Sequence, residues 1–404
     1  KQFSLPFPYN IYLDLNKCIV VYRMSSNIHI QHYYKLKYGC NPYQKEANVF
    51  STNKEEFPFI ILNGSPGYIN ILDAVNSWYL VNEIKYSINK IAAASFKHVS
   101  PAGVSIGGDD YEAYKNAREC DPKSSFGDFV AINTNVTVKL AEYIQSKVCD
   151  GIIAPSFDTE AFNILKKKKK NSFIILKGSP INLENQTYTE YKMIKNVAIS
   201  QSNNDYIFSK HDLQKIVSNN KNINDTIIND LIISNITLKY TQSNSVCIAY
   251  KGRTIGIGAG QQSRIDCVKL ARRKAEIYLL RNNKSITDNL IFKEGIKYQN
   301  KINATIQYIE NDMSKHETQL WLENFKENPK ELKIDKLEYF KTIEGISISS
   351  DGFFPFRDSI DNASLINTQY ISQPGGSVAD EGVIEAANNY NNVMFFTGIR
   401  MFHH

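Results

Sequence analysis

Two adjacent ionisable residues, Lys97 and His98, follow the apolar run AAASF and precede Ser100-Pro101. Histidine is the usual general base near neutral pH. A lysine beside it can offset negative charge that develops as a bond forms. Neighbours on an extended segment point to opposite sides, so the pair serves one ligand only where the chain turns. Pro101 and Gly103 predict such a turn. Taken alone, the dipeptide is more simply two solvated residues at a strand end.

Four further segments carry candidate chemistry. SVCIAYKGRTIGIGAG reads as a hairpin turned at Lys251-Gly252. Gly256, Gly258 and Gly260 then let the backbone approach something closely before a helix begins near Ser263. The G-x-G-x-G spacing and the antiparallel hairpin argue against a dinucleotide site, which wants G-x-G-x-x-G in a βαβ unit. Asn244, with Gln242, offers an amide that could bond a planar heterocycle, or that could simply serve a turn. SSDGFFPFRDSID sets two phenylalanines beside Arg357-Asp358, an apolar wall next to charge that could receive a flat ring; a strand end with an Arg-Asp ion pair fits the same letters. In SQPGGSVADEGVIEAANN, free amides near Ser377 could bind an anion. In the last segment, TGIRMFHH, Arg400 is a candidate fork for phosphate or carboxylate.

The elements that must position these residues follow from hydrophobic spacing. EFPFIILNG, AAASFKHVS, GDFVAIN, CDGIIAPS and NSFIILKG read as short buried strands. INILDAVNSWYLVNEIKYSI, VKLAEYIQSK and EAFNILKKKKK place apolar residues at helical spacing. This alternation predicts an α/β fold with mostly parallel sheets. Lys166 to Lys170 is read as a solvated helix end favoured by the helix dipole. Residues 285–342 are charged, Asn-rich and helical, and strand signals resume at GISISSDGFF. Residues 1–35 are aromatic-rich without a clean period: a strand pair, an insertion or a poorly ordered arm.

Bulk numbers bound the class. The 404 residues suffice for two or three cores, and a 42% apolar share is ordinary for a folded protein. The net charge of +6, from 47 Lys+Arg against 41 Asp+Glu, is too small to argue for nucleic acid. The six cysteines, Cys18, Cys40, Cys120, Cys149, Cys247 and Cys267, are scattered without a zinc-like spacing. They fit free thiols in a reducing compartment. No apolar run approaches a membrane span, and the opening KQFSLPFPYN has no signal-peptide layout. The expectation is a cytosolic protein, and the missing initiator Met points to a fragment or processed piece.

FKHVSPAG, SSFGDFVA, CDGIIAPS, KYTQSNSVC, IGIGAGQQSRI, SDGFFPFRD and the ending R-x-F-H-H occur in this order. From about Leu36 to His404 the chain closely resembles the AICAR transformylase family, the formyl-transferring domain of bifunctional purine biosynthesis enzymes. KQFS resembles the junction that follows the IMP cyclohydrolase domain in those enzymes; that domain is not in this sequence. The resemblance implies formyl transfer from 10-formyltetrahydrofolate to AICAR, the ribonucleotide of aminoimidazole carboxamide, with no metal in the chemistry. It implies two cytidine-deaminase-like subdomains, 36–190 and 191–284 joined with 343–404, interrupted by the helical insertion 285–342. It also implies a homodimer with active sites at the interface, and neither nucleic acid nor membrane as a partner. By position, His98 matches the proton acceptor and Lys97 the transition-state stabiliser. Asn244 matches an AICAR contact from the partner subunit. Lys37, Tyr38, Gly127, Asp150, Phe353 and Arg400 match AICAR-contacting positions. Arg264, Asp358, Ser377 and Asn303 match positions near the folate.

The departures are local. The family's L-R-Y-G-x-N-P-H-Q is LKYGCNPYQ here, so Lys37 stands where an arginine touches the substrate phosphate, and Tyr43 replaces a histidine. Lysine keeps the charge and loses the two-pronged fork. These changes motivate one rival, a relic that binds AICAR or folate without turnover. The other rival is the same fold using a different formyl donor.

Overall fold

The computed structural model describes residues 2–4, 9–14 and 19–24 as strands, and residues 30–51, 57–184 and 188–404 in full. By contacts the chain divides into Lys1–Phe57 and Pro58–His404. In the first unit, β1 (Gln2–Ser4), β2 (Tyr9–Asp14) and β3 (Ile19–Met24) form an antiparallel sheet. The described residues of the aromatic-rich opening up to Met24 are thus three antiparallel strands. A separate hairpin pairs β4 (Gln31–Lys35) with β5 (Asn48–Ser51). Its loop, residues 36–47, contains LKYGCNPYQ and is closed by Leu36 N–H to Ala47 O at 2.9 Å and Gly39 N–H to Gln44 O at 2.7 Å.

The second unit holds two larger sheets. The first runs through β6 (Phe59–Asn63), α1 (Tyr68–Ile88), β7 (Ile91–Lys97), β8 (Ser100–Gly107) and α2 (Asp110–Cys120). It continues with β9 (Asp128–Ile132), α3 (Val138–Gln145), β10 (Cys149–Ala154), α4 (Thr159–Lys166), the single turn α5 (Lys168–Asn171) and β11 (Ile174–Gly178). Its order is β6-β11-β10-β9-β7-β8. The expected parallel alternation occupies β9-β10-β11, while β7, β8 and β6 add antiparallel strands. Ala92–Ala94, Phe129–Ile132 and Ile152–Ala154 are all buried. Such continuous apolar runs belong to strands covered on both faces.

A small ribbon, β12 (Thr189–Ile194) with β13 (Val197–Ser202), leads to α6 (Asp225–Lys239), β14 (Val246–Ala249), β15 (Thr254–Gly258) and α7 (Arg264–Leu280). The helical stretch follows, with α8 (Lys284–Thr287), α9 (Tyr298–Glu310), α10 (Lys315–Leu322) and α11 (Lys336–Lys341). The second sheet is completed by β16 (Ile346–Ser350), α12 (Asp358–Ala363), β17 (Thr368–Gln373), α13 (Asp380–Asn389) and β18 (Val393–Phe396). Its order is β15-β14-β16-β17-β18, parallel over the last three.

The hairpin turned at Lys251-Gly252 is observed, and the reason for its glycines differs from a ligand approach. A Cβ on Gly256 would lie 2.0 Å from Ala271 O, and one on Gly258 2.1 Å from Cys267 O. The glycines let α7 lie directly on β15. The two sheets meet at β8 and β15, where Ile106 N–H donates to Gly252 O at 2.9 Å, and through α1 and α6, where Glu83 ion-pairs Lys239 and accepts the Tyr240 hydroxyl at 2.9 Å. The five described cysteines, Cys40, Cys120, Cys149, Cys247 and Cys267, are free thiols, and Cys18 lies outside the described residues. Among the described residues no helix is long and apolar enough to cross a membrane.

Candidate functional site

Lys97 pairs with Ser100 across the β7–β8 hairpin, so His98 and Val99 are its two loop residues. Both are left-handed, with φ of 54° and 61°. That is the backbone of a two-residue turn whose twist matches its strands, a turn that favours Asn and Gly. A β-branched valine is out of place there. The turn therefore lies at His98-Val99, not at Pro101 and Gly103, which belong to β8; Gly103 is needed because a Cβ would meet Ala117 O at 2.1 Å. The Val99 N–H donates to Asp73 Oδ1 of α1 at 2.7 Å. Burial pushes the Asp73 carboxyl up to about 6; the Val99 hydrogen bond opposes this, and the charges of Asp150 and Asp128 add to it. His98 is exposed, and no hydrogen bond occupies its ring among the described residues.

Lys97 Nζ donates to Phe126 O at 2.5 Å. That carbonyl precedes Gly127, which is left-handed at φ 82° and donates its N–H to Val148 O. The loop is anchored from beneath by Asp128. This fully buried carboxylate ion-pairs Arg118 at 2.5 Å and accepts the hydroxyls of Ser95 and Tyr114 at 2.6 and 3.0 Å. Asp150, at the start of β10, ion-pairs Lys169 Nζ at 2.6 Å. Together they line an open pocket with Gly64, Ser65, Asn70 and Asn171. The run Lys166 to Lys170 is thus more than a solvated helix end: Lys169, Lys170 and Asn171 are left-handed, and the bend delivers Lys169 to Asp150.

A second group gathers at the start of β14 and the N-terminus of α7. Asn244 Oδ1 accepts from Arg264 Nη2 at 2.8 Å, and its Nδ2 donates to Gln262 O at 3.0 Å. The buried Arg264 guanidinium also ion-pairs Asp351 and donates to Ser245 O at 3.0 Å. Asp351, fully buried, accepts Ser243 Oγ at 2.5 Å and both the N–H and the hydroxyl of Ser245 at 3.0 Å. Met401 N–H donates to Asp351 O at 2.9 Å, which ties the last residues to this cluster. Phe353 and Asp358 are exposed nearby in sequence, and Arg357 ion-pairs Asp361 rather than Asp358. Ser377 Oγ accepts the Ala379 N–H at 3.1 Å, so one amide of the expected anion cradle is already occupied. Arg400 is exposed, its guanidinium 4.6 Å from the Phe402 ring centroid.

Lys97, His98, Gly127 and Asp150 therefore share one end of the first sheet. Asn244 and Arg264 are joined in the second, and among the described residues no hydrogen bond or ion pair links the two groups. Lys37 and Tyr38 lie in the β4–β5 loop of the first unit, Lys37 exposed. Asn303, on α9, accepts from Gln299 Nε2 at 3.3 Å. Asp73, Lys169 and Asp351 were not singled out from the sequence. Asp73 had a signal, a carboxylate at a core-facing position of an apolar helix; Lys169 had none. Among the described residues no group of three His, Cys, Asp or Glu side chains could hold a metal ion. Chemically, the first group presents an exposed imidazole beside a lysine at a hairpin tip. The second presents an amide locked by a buried ion pair.

A model of the AICARFT/IMPCHase bienzyme family matches residues 11–274. The chain is 32% identical over 370 residues to the bifunctional purine biosynthesis protein PurH of Elusimicrobium minutum, covering 91% of this chain and 58% of that protein. It is 30% identical over 375 residues to the protein of the same name from Persephonella marina, covering 91% and 59%. A third, from Aquifex aeolicus, is 29% identical over 374 residues, covering 92% and 59%. The chain thus spans less than two thirds of the length of these relatives.

Proposed function

The chain belongs to the AICARFT/IMPCHase bienzyme family, and from that premise we propose that it transfers a formyl group from 10-formyltetrahydrofolate to AICAR in purine biosynthesis. The observation that carries this reading is the β7–β8 tip, where Lys97 and His98 stand together and the imidazole is exposed. The AICAR amine is a poor nucleophile because its lone pair is conjugated with the ring and the carboxamide. As its nitrogen bonds to the formyl carbon, His98 takes the amine proton. The carbon–N10 bond of the folate then breaks, N10 gains a proton, and Lys97 offsets the charge that passes over the formyl oxygen. Formyl-AICAR and tetrahydrofolate leave.

In this reading Lys37, Tyr38, Gly127, Asp150, Phe353 and Arg400 hold AICAR, and Asp358, Ser377 and Asn303 border the folate. Asn244 serves the active site of a second copy, with Arg264 behind it. The β12–β13 ribbon, which exposes Met193, Ile194, Val197 and Ile199, supports an assembly in which two copies complete each site. The two sheets are read as two cytidine-deaminase-like subdomains, 36–190 and 191–284 with 343–404, and 285–342 as a helical insertion. The site of action is the cytosol.

The test is tetrahydrofolate release from 10-formyltetrahydrofolate and AICAR over a range of protein concentrations. Turnover that rises more steeply than first order in protein is expected where dimers dissociate. Turnover only when formate and ATP replace the folate would overturn the donor. AICAR binding without turnover under either condition would favour the relic, for which Lys37 and Tyr43 are the motive.

A further inference from the structure

We propose that Asp73 is a positioning residue that holds the His98-Val99 turn and thereby aims the His98 imidazole; the proposal rests on His98 being the base. Three observations converge. Asp73 lies on α1, 26 positions from Val99, yet it accepts the Val99 N–H at 2.7 Å. It is 5% exposed, and no cation pairs with it among the described residues. A carboxylate is costly to bury without a counter-charge, so its place here is explained by what it holds. What it holds is disfavoured: Val99 at φ 61° has a β-branched side chain in a region that glycine and asparagine enter readily. A local sequence His-Val does not keep such a turn closed. The hydrogen bond from α1 supplies the missing restraint, and it does so one residue from the base.

The groups facing Asp73 define its titration. Asp150 of β10, itself paired with Lys169, and Asp128 of β9, paired with Arg118, raise its carboxyl together with burial. The Val99 N–H opposes them, and Lys97 and His98 stand at the tip. As pH falls through about 6 the carboxyl takes a proton and the charge-assisted bond to Val99 weakens.

Four proteins test this: Asp73→Ala, Asp73→Asn, Val99→Gly and the Asp73→Ala/Val99→Gly double variant. Asp73→Ala is expected to lower kcat ~10–100-fold, the scale of a misplaced reacting group, with AICAR Kd changed less than ~3-fold. Asp73→Asn should retain kcat within ~5-fold, because its amide oxygen accepts the same bond, and it should lose the part of the acid-side pH dependence due to Asp73. Val99→Gly should relieve the Asp73→Ala loss, since glycine takes the turn conformation without a restraint. Wild-type kcat in Asp73→Ala overturns the proposal. So does a loss that the conservative Asp73→Asn change shares in full and that Val99→Gly does not relieve. Hydrogen exchange of the Val99 amide gives a readout independent of activity. Faster exchange in Asp73→Ala supports the positioning role even if formyl transfer is absent in the wild type, and unchanged exchange sinks it even if formyl transfer is present. Should Asp73→Ala fail to fold, the pH profile of Asp73→Asn decides: an acid limb identical to wild type overturns the proposal.

Discussion

Asn244 Oδ1 accepts a hydrogen bond from Arg264 Nη2 at 2.8 Å, and the same guanidinium ion-pairs the buried Asp351. One arginine therefore locks an amide with one arm and neutralises a core carboxylate with the other. Arg264→Ala should cost ~3–5 kcal/mol of stability by leaving Asp351 uncompensated. Arg264→Lys keeps the charge and loses the fork. Urea unfolding of the three proteins checks the order wild type, Lys, Ala; equal midpoints for wild type and Arg264→Ala would refute the ion pair's role.

In the proposed reading His98 carries the chemistry, and its exposed ring has no packing role. His98→Ala should lower kcat by ~10²–10⁴-fold, the span of general acid–base catalysis, while AICAR affinity and unfolding midpoint stay near wild type. Single-turnover formyl transfer and calorimetric AICAR titration measure the two separately. Wild-type turnover in this variant would remove His98 as the base.

Gly256 faces the backbone of α7, where a Cβ would sit 2.0 Å from Ala271 O. Backbone cannot swing aside as a side chain can, so Gly256→Ala must push α7 off β15. A loss of ~2–3 kcal/mol or more is expected, at the upper end of overpacking effects. A thermal midpoint within error of wild type would contradict the packing.

Asp230 accepts the N–H groups of Lys251 and Gly252 at 2.9 and 2.6 Å, and burial outweighs these bonds to push its carboxyl up to about 7. The folded chain thus holds this proton more tightly than the unfolded chain, whose carboxyl titrates near 3.8. Its contribution to stability is complete below that lower value and is lost as pH rises through 7. Across the window the loss from this group approaches ~1.4 kcal/mol per pH unit. Asp230→Asn does not titrate and should flatten that slope, as read from urea midpoints on the two sides of the window. An unchanged slope would show that the two N–H bonds keep the carboxylate ionised throughout.

In the proposed reading Lys37 lies at the AICAR phosphate, in the place of an arginine. Lys37→Arg restores two parallel donors and should lower KM for AICAR ~3–10-fold with kcat nearly constant. Removing the phosphate from the substrate should abolish the difference between the two proteins. A fall in kcat instead would place residue 37 elsewhere in the reaction.

Much of the fold was legible because buried strands and amphipathic helices write their periods into the chain. The runs before Lys97, at Gly127 and at Asp150 are apolar, short and bounded by turn residues, and each became a strand of the first sheet. The β14–β15 hairpin was legible for the same reason. The role of its glycines was not, because Gly256 and Gly258 serve a helix that follows them and not a ligand. Lys169 was invisible as a site residue: in a run of five lysines nothing local distinguishes the one that a left-handed bend carries to Asp150.

The sequence by itself determined which side chains are available: an imidazole beside an ammonium, an amide before an apolar strand, and arginines and phenylalanines in words that match one family in order. The tertiary structure decided where the chain turns and what holds the turn. Pro101 and Gly103 are strong local turn residues, yet they lie in β8, and the turn falls on His98-Val99. Local propensity cannot place a valine at positive φ. A hydrogen bond to Asp73, from a helix that comes earlier in the chain, does so, because a buried acceptor and an otherwise unpaired N–H each lack a better partner.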